Sequence, residues 1–313
     1  MKNKPRLLAL IDSKEYTLNE IYQGQLYEEL PKHVDLTIVC LDEIVNKTSS
    51  VDVKSFDGIY CSIRYRNTLK YVNEIQIFLK DTAVIVNDYD TWVNYIDGSP
   101  YKNTYKIVND ALNVKYWFTS ANWWAEKLKS DGYPAIAMKL GMKPSLIENT
   151  KRFEDKSRLI EFRGSKHEPR VIGHNKLVNA GFKLPWLSSI KPYSAFLESI
   201  NDLKIWAHNE SEPILIDGVE HSFNALWPKA VEVLSRGCFV IRDTQEEATW
   251  YDMNKLPIVF LYDNVNNANK KLEEILSLSE DEKNNRIQET IIFLKKQDYW
   301  KAYSQRLVEY LEA

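Results

Sequence analysis

The chain has 313 residues, a length that predicts two domains of ordinary size or one large domain. Hydrophobic residues make up 44% of it and charged residues 27%, as in globular proteins. The formal net charge of -3 offers no general attraction to nucleic acid. Three widely spaced cysteines without a CxxC pair argue against a disulfide framework and a structural zinc site. No apolar stretch approaches the ~20 residues of a membrane span or forms a signal peptide. We therefore expect a cytoplasmic protein without a membrane span.

Short apolar runs alternate with amphipathic stretches along the first half of the chain. The apolar runs predict strands at residues 6–11, 34–41, 56–62, 82–87, 116–119 and 135–140. The stretches between them predict helices at residues 19–30, 71–79, 101–112 and 120–130. This alternation is typical of a parallel sheet that is covered by helices on both faces.

A polar segment at residues 143–156 predicts a linker, after which the alternation resumes. The later strands are predicted at residues 158–162, 203–208, 238–241 and 258–262. The helices are predicted around residues 176–180, 193–200, 227–235, 268–276 and 281–312, and residues 217–222 are interpreted as a polar loop. The fold class is therefore α/β with two Rossmann-like lobes. Because ligands bind at the carboxyl ends of parallel strands, we expect the lobes to face an interdomain cleft.

Several segments resemble, in order, the group-1 glycosyltransferases of the GT-B fold. The segment YWFTSANWWAEKLKSDGYPAIAMKLGMKP (residues 116–144) is similar to the end of their first lobe. The segments WPKAVEVLSRGCFVIRD (227–243) and DYWKAYSQRLVEYLEA (298–313) are similar to their donor-binding helix and to their last helix, which crosses back to the first lobe. HEPRVIGHNKLVNAGF (167–182) bears a looser likeness to spore-maturation-type glycosyltransferase domains.

The resemblance implies a domain layout and a reaction. An acceptor lobe would comprise residues 1–145 together with helix 297–313, and a donor lobe would comprise residues 157–296. The reaction would move a sugar, a hexose, from a nucleotide-diphosphate sugar such as a UDP-sugar to a hydroxyl acceptor. We expect no cofactor and no catalytic metal, because Asp-x-Asp occurs at residues 88–90 of the acceptor lobe and not at a strand end of the donor lobe.

The predicted phosphate site follows the strand at residues 158–162. Arg163 and Lys166 flank Gly164 there and are the candidate catalytic cations, because fixed positive charges can stabilise a departing diphosphate. Arg170 is a weaker donor-site candidate in the same turn. For each of these cations, a solvated surface charge is the alternative.

The donor helix departs from the family pattern at one position. The family carries two Glu residues eight positions apart, of which the second, which holds the ribose, matches Glu232, while Asn224 occupies the first position. Asn224 and Trp227 are further predicted donor residues. The missing Glu keeps open a non-catalytic nucleotide- or sugar-binding protein on the same fold.

The predicted acceptor side consists of polar residues after the strands of the first lobe. Asp12 and Ser13 follow the first strand, Arg64 the third, and Asp88 and Asp90 the fourth. Asp12 would be the base of an inverting enzyme, or else a helix cap. Asp88 and Asp90 would bind an acceptor hydroxyl, or else form a turn.

The acceptor itself is not specified by the sequence. The 9 Trp, 18 Tyr and 11 Phe residues would suit stacking of a flipped hydroxymethylated base of phage DNA. The net charge argues against DNA, because phosphate contacts dominate the affinity for it.

Overall fold

A computed structural model describes residues 4–147, 150–164, 166, 168–187, 190–210, 213–222 and 228–312. The chain divides into two compact units by its internal packing. The first unit comprises Met1–Leu140, Ile214–Glu220 and Trp300–Ala313, and the second comprises Gly141–Pro213 and His221–Tyr299.

The first unit contains a six-stranded parallel sheet in the order β2-β1-β3-β4-β5-β6. The central strand β1, of sequence RLLALI, is buried at five of its six positions, as expected for a strand covered on both faces. The strands are β1 (Arg6–Ile11), β2 (Asp35–Cys40), β3 (Gly58–Cys61), β4 (Val84–Asn87), β5 (Val114–Thr119) and β6 (Ala135–Ala137).

Helices fill the connections of this sheet. They are α1 (Gly24–Glu29), α2 (Leu41–Val45), α3 (Tyr65–Lys70), α4 (Val72–Leu79), α5 (Tyr105–Leu112) and α6 (Asn122–Ser130), with a π-helix at Glu15–Glu20. The C-terminal helix α13 (Tyr299–Glu312) also packs here from Trp300 onward. A Cβ on Gly58 would lie 2.1 Å from the Leu311 side chain, so this glycine lets α13 approach β3 closely.

The second unit contains a five-stranded parallel sheet in the order β13-β12-β9-β7-β8. Its strands are β7 (Arg158–Arg163), β8 (Trp186–Leu187), β9 (Leu203–His208), β12 (Phe239–Asp243) and β13 (Val259–Tyr262). Its helices are α7 (Glu168–Asn179), α8 (Tyr193–Ile200), α9 (Pro228–Leu234), α10 (Glu246–Trp250), α11 (Ala268–Ser277) and α12 (Glu280–Gln297). β12 is buried at every position and lies in the hydrophobic core of this unit.

Strands β10 (Pro213–Ile216) and β11 (Val219–Ser222) form a separate two-stranded sheet. Their turn has two left-handed residues, Asp217 at φ 52° and Gly218 at φ 77°, as an Asp-Gly hairpin turn requires. The Asp97 carboxylate accepts the Gly218 N–H at 2.8 Å, and Lys102 Nζ donates to Asp217 Oδ1 at 2.7 Å. The expectation of a polar loop at residues 217–222 is therefore wrong.

Two parallel sheets with interleaved helices confirm the predicted α/β class with two Rossmann-like lobes. Among the described residues, none of the helices combines the length and apolar character that crossing a membrane requires. One difference from the prediction affects the site: α7 begins at Glu168, well before the helix expected around residue 176. Arg170 therefore lies in the first turn of a helix.

Candidate functional site

Gly164 immediately follows β7 at the carboxyl end of the second sheet. Its φ of +137° lies in a region that L side chains rarely adopt. Its N–H donates to the Leu187 carbonyl at 3.1 Å, and its carbonyl accepts the Trp186 indole N–H at 2.9 Å. The chain is thus pinned to β8 at the point where it leaves β7.

Two cations converge on the Cβ side of this glycine, which is buried. A Cβ built on Gly164 would lie 2.9 Å from Arg170 Nη1 and 3.0 Å from Lys229 Nζ. Arg170 comes from α7 and Lys229 from the first turn of α9, so separate elements bring them together. Burial, and then the charge of Arg170, lowers the pKa of Lys229. Two cations held at one point are suited to an anion with more than one charge, such as a diphosphate.

Glu210 lies two residues after the end of β9, and its carboxylate contacts Arg170. Its Oε1 is 3.5 Å from Arg170 Nε and 2.9 Å from His208 Nε2, and its Oε2 is 3.6 Å from Arg242 Nη2. Burial raises the pKa of Glu210, but His208 and the two arginines outweigh burial and lower it. Glu210 is therefore ionised at neutral pH.

Glu232 lies on α9, one turn after Lys229, and its side chain is buried. The Tyr193 hydroxyl donates to its Oε1 at 2.8 Å. Burial raises the pKa of Glu232, and the Tyr193 hydrogen bond and the charge of Lys229 oppose that rise. A carboxyl group with this pKa changes charge closer to neutral pH than an ordinary glutamate does.

The other predicted donor residues are placed differently. The Arg163 guanidinium is buried, with Nε 2.9 Å from Glu161 Oε2 and Nη1 2.7 Å from Ser199 Oγ. Lys166 is exposed, and its Nζ lies 5.7 Å from the ring centroid of Trp186. Asn224 and Trp227 lie outside the described residues. The structure thus brings Gly164 and Arg170 together but engages Arg163 elsewhere, and the role of each in binding stays a prediction.

Asp12, at the end of β1, serves the turn that leads into α3. Its Oδ2 accepts the Arg64 backbone N–H at 2.9 Å and Arg64 Nε at 3.2 Å, and its Oδ1 accepts from the Asn67 amide. Arg64 also covers the Tyr16 ring at 4.1 Å. Ser13 Oγ accepts the Tyr16 N–H at 3.2 Å. The Ser13 bond is that of a local turn, whereas the Asp12 bonds join the end of β1 to the turn before α3.

Asp88, just beyond β4, is a buried carboxyl group. Its Oδ1 accepts the Asp90 N–H at 2.9 Å, and its Oδ2 accepts the Tyr105 hydroxyl. Burial, and then the charge of Asp90, raises the pKa of Asp88 to about 7. Asp90 itself is exposed. The bond from the Asp90 N–H is that of a local Asx turn.

Sequence reasoning missed Lys229 and Glu210, although both left a signal. Lys229 follows Pro228 in the first turn of α9, where the helix dipole disfavours a cation. A bound anion would offset the unfavourable interaction between this lysine and the helix dipole. Glu210 follows His208 at the carboxyl end of a parallel strand, which is where ligand-binding residues of α/β folds lie.

Among the described residues, Cys40, Asp42 and Glu43 place one potential metal ligand each within 4.8 Å of one another. Their arrangement follows from the start of α2. Glu43 Oε2 accepts the Cys40 N–H at 2.8 Å, and the Cys40 side chain completes a capping box. Cys40 and Glu43 therefore have a local structural role at the start of α2.

Solved structures similar to this chain have the GT-B fold. HepE from Anabaena, crystallised with UDP and glucose, is 13% identical, with 99% of this chain and 100% of that one covered and a TM-score of 0.61. Sucrose-phosphate synthase from Thermosynechococcus elongatus is 11% identical over 98% and 99% of the two chains, with a TM-score of 0.61. The trehalose-6-phosphate synthase OtsA is 10% identical over 98% and 99%, with a TM-score of 0.57.

No protein-family model matches the sequence, and no curated protein matches it. The structural likeness, at these identities, establishes the fold. The chain thus has the GT-B fold, as the sequence resemblance predicts, while the likeness to spore-maturation-type domains stays a prediction.

Proposed function

We propose that this protein is a glycosyltransferase that transfers a hexose from a UDP-sugar to a hydroxyl acceptor without a catalytic metal. The observation that carries the proposal is the convergence of Arg170 and Lys229 on Gly164 at the carboxyl end of β7. A sugar leaving a nucleotide diphosphate deposits negative charge on the phosphates. Fixed cations that already point at the phosphates stabilise that charge as it develops.

Glu232 supplies the second part of the proposed donor site. An ionised carboxylate on α9 can accept hydrogen bonds from both hydroxyls of a ribose, as acidic residues do in dinucleotide-binding folds. Lys229 lies one turn before it on the same helix. The phosphate-binding and ribose-binding groups thus share one short element, as a nucleotide with adjacent ribose and diphosphate requires.

The similar structures favour uridine nucleotides among the possible donors. HepE has been crystallised with UDP and with UDP-glucose. The names of the trehalose-phosphate and sucrose-phosphate synthases indicate products that contain hexoses. We retain the cytoplasm as the proposed location, because all three cysteines are unpaired thiols in buried positions.

A thermal-shift screen with nucleotides and nucleotide sugars in the presence of EDTA tests the proposal. A ligand at ~100 times its dissociation constant adds about 2.7 kcal/mol of stability. We expect UDP and one UDP-hexose to raise the melting temperature, and the same UDP-hexose to release UDP when an acceptor is supplied. Binding that appears only after magnesium or manganese is added would contradict metal independence.

Two further outcomes separate the alternatives. Binding of a UDP-sugar with neither transfer nor hydrolysis, over a broad set of acceptors, would identify a non-catalytic binding protein. Transfer to hydroxymethylated DNA, with binding that weakens steeply as salt is added, would identify DNA as the acceptor.

A further inference from the structure

We propose that Glu210 is a positioning residue that holds the Arg170 guanidinium against Gly164 and thereby sets the affinity of this site for a diphosphate. The inference rests on the proposed function of the same site and adds to it a residue that need not touch the nucleotide.

Glu210 is held through both its backbone and its side chain. Its N–H donates to Asp243 Oδ1 at 3.1 Å, and its Oε1 lies 2.9 Å from His208 Nε2. His208 is only 1% exposed and stacks with both Trp206 and Phe162, with 4.7 Å between ring centroids in each pair. The carboxylate therefore has a fixed position relative to β9.

Arg170 is oriented by its two ends. Its Nε edge faces Glu210 Oε1 at 3.5 Å, and its Nη1 lies 2.9 Å from the position that a Cβ on Gly164 would occupy. A guanidinium is planar, so fixing one edge fixes the direction in which the other nitrogens point. The Glu210 carboxylate thus faces the Nε edge of the guanidinium as an ion pair, while Nη1 is directed to the Cβ side of the glycine.

The helix that carries Arg170 is also brought close to Glu210. A Cβ on Gly173 would lie 2.1 Å from the Asn209 carbonyl oxygen, so α7 contacts the backbone adjacent to Glu210 only because residue 173 is glycine. Residues three apart lie on the same face of a helix. Gly173 therefore brings Arg170 onto the end of β9.

The negative charge of Glu210 is balanced by Arg170 and Arg242 and not by His208. Burial lowers the pKa of His208, so its imidazole is neutral at neutral pH and donates to Glu210 without cancelling its charge. Arg242, which is 1% exposed, also lies 3.7 Å from Asp243 Oδ1 through its Nε. Glu210 and Asp243 thus face Arg170 and Arg242, and Lys229 adds a third cation at the glycine.

A double-mutant cycle on the full chain tests the inference, with UDP and inorganic pyrophosphate as the probes in calorimetric titrations. We expect Glu210→Gln to weaken UDP and pyrophosphate binding about tenfold, because it removes the ion pair at 3.5 Å that holds the Arg170 guanidinium in place. We expect uridine to bind equally to both forms. Glu198→Gln, the same change at an exposed site of the same unit, should leave all three affinities unchanged.

The cycle then asks whether Glu210 acts through Arg170. We expect Glu210→Gln to weaken binding no further once Arg170→Gln is present, because coupled residues give non-additive losses. Glu210→Asp keeps the charge facing Arg242 and should lose less affinity than Glu210→Gln. It also replaces that variant in the cycle if Glu210→Gln does not fold.

The outcomes distinguish this inference from the proposed function. Additive losses, or a folded Glu210 variant with unchanged pyrophosphate affinity, would overturn the positioning role and leave the glycosyltransferase proposal intact. Non-additive losses with pyrophosphate but no affinity for any uridine nucleotide would keep the positioning role and remove the proposed donor. A wild-type chain that binds neither probe would overturn both.

Discussion

The carboxyl ends of the two sheets carry polar residues that are used in opposite ways. In the first unit, the Asp12 and Asp88 carboxylates accept hydrogen bonds from neighbouring backbone and side chains. In the second unit, Arg170 and Lys229 come from two helices and converge on Gly164, where no side chain separates them. A polar residue at a strand end is therefore weak evidence for a site, and the proposed donor site depends instead on cations that converge from separate elements.

The largest expected effect is on the pH dependence of stability, and it is expected for Asp88→Asn. This variant tests whether the carboxyl groups of the first unit have a structural role. The raised pKa of about 7 means that the folded chain keeps a proton that the unfolded chain releases near pH 4. The contribution of Asp88 to the free energy of unfolding should therefore fall by about 1.4 kcal/mol per pH unit between about pH 4 and pH 7. Asp88→Asn removes this titration, so the variant gains stability relative to wild type as the pH rises.

Denaturant unfolding from pH 4 to pH 8 measures this difference. Asp110→Asn, at an exposed residue paired with Lys106, is the matched control and should follow the wild-type pH dependence. Asp88→Asn and wild-type curves that run parallel across the whole range would show that Asp88 titrates alike in the folded and unfolded chain, as expected of a carboxylate open to an acceptor.

The next largest effect is expected at Lys229 in the second unit. Lys229→Gln removes one of the two cations at Gly164 and should weaken UDP binding by about 1.5–3 kcal/mol, the range for a hydrogen bond to a charged group. Lys255→Gln, at an exposed lysine of the same unit, should have no effect on UDP. Calorimetry that finds equal affinities for UDP and uridine in the wild type would show that these cations bind no phosphate.

The comparison also explains which features could be predicted from sequence. Strands and helix ends depend on local sequence, such as the apolar run at residues 6–11 and the glycines that follow helices. The α/β pattern could therefore be predicted. Gly164 and Arg170 were identified because they lie near a strand end. Arg163 and Gly164 are adjacent, but only the structure shows that the Arg163 side chain is taken up by Glu161 and Ser199. Lys229 lies 65 residues beyond Gly164 in sequence, and local pattern does not report such a contact.

A smaller effect, but a more diagnostic one, is expected at Glu232. Glu232→Gln should weaken UDP binding by about 1–3 kcal/mol at pH 8, where the carboxylate is ionised. Because burial raises the pKa of Glu232, lowering the pH toward 6 protonates it, and wild-type affinity should fall toward that of the variant. Titrations at both pH values, with Glu246→Gln as an exposed control, check this. A difference between wild type and variant that does not depend on pH would remove the ribose carboxylate from the proposal.

The smallest expected effect on nucleotide affinity is at Asp12, for which a structural role and a catalytic role predict different outcomes. Asp12 joins the end of β1 to the turn into α3 through hydrogen bonds of a charged group, worth about 1.5–3 kcal/mol, so Asp12→Asn should lower the melting temperature and leave UDP affinity unchanged. We expect its transfer rate to stay within about tenfold of wild type, since general-base catalysis contributes roughly 10²–10⁴-fold. A loss in that larger range, with the fold and UDP affinity intact, would make Asp12 the base of an inverting reaction. It would also show that a carboxylate can hold a turn and accept a proton at the same strand end.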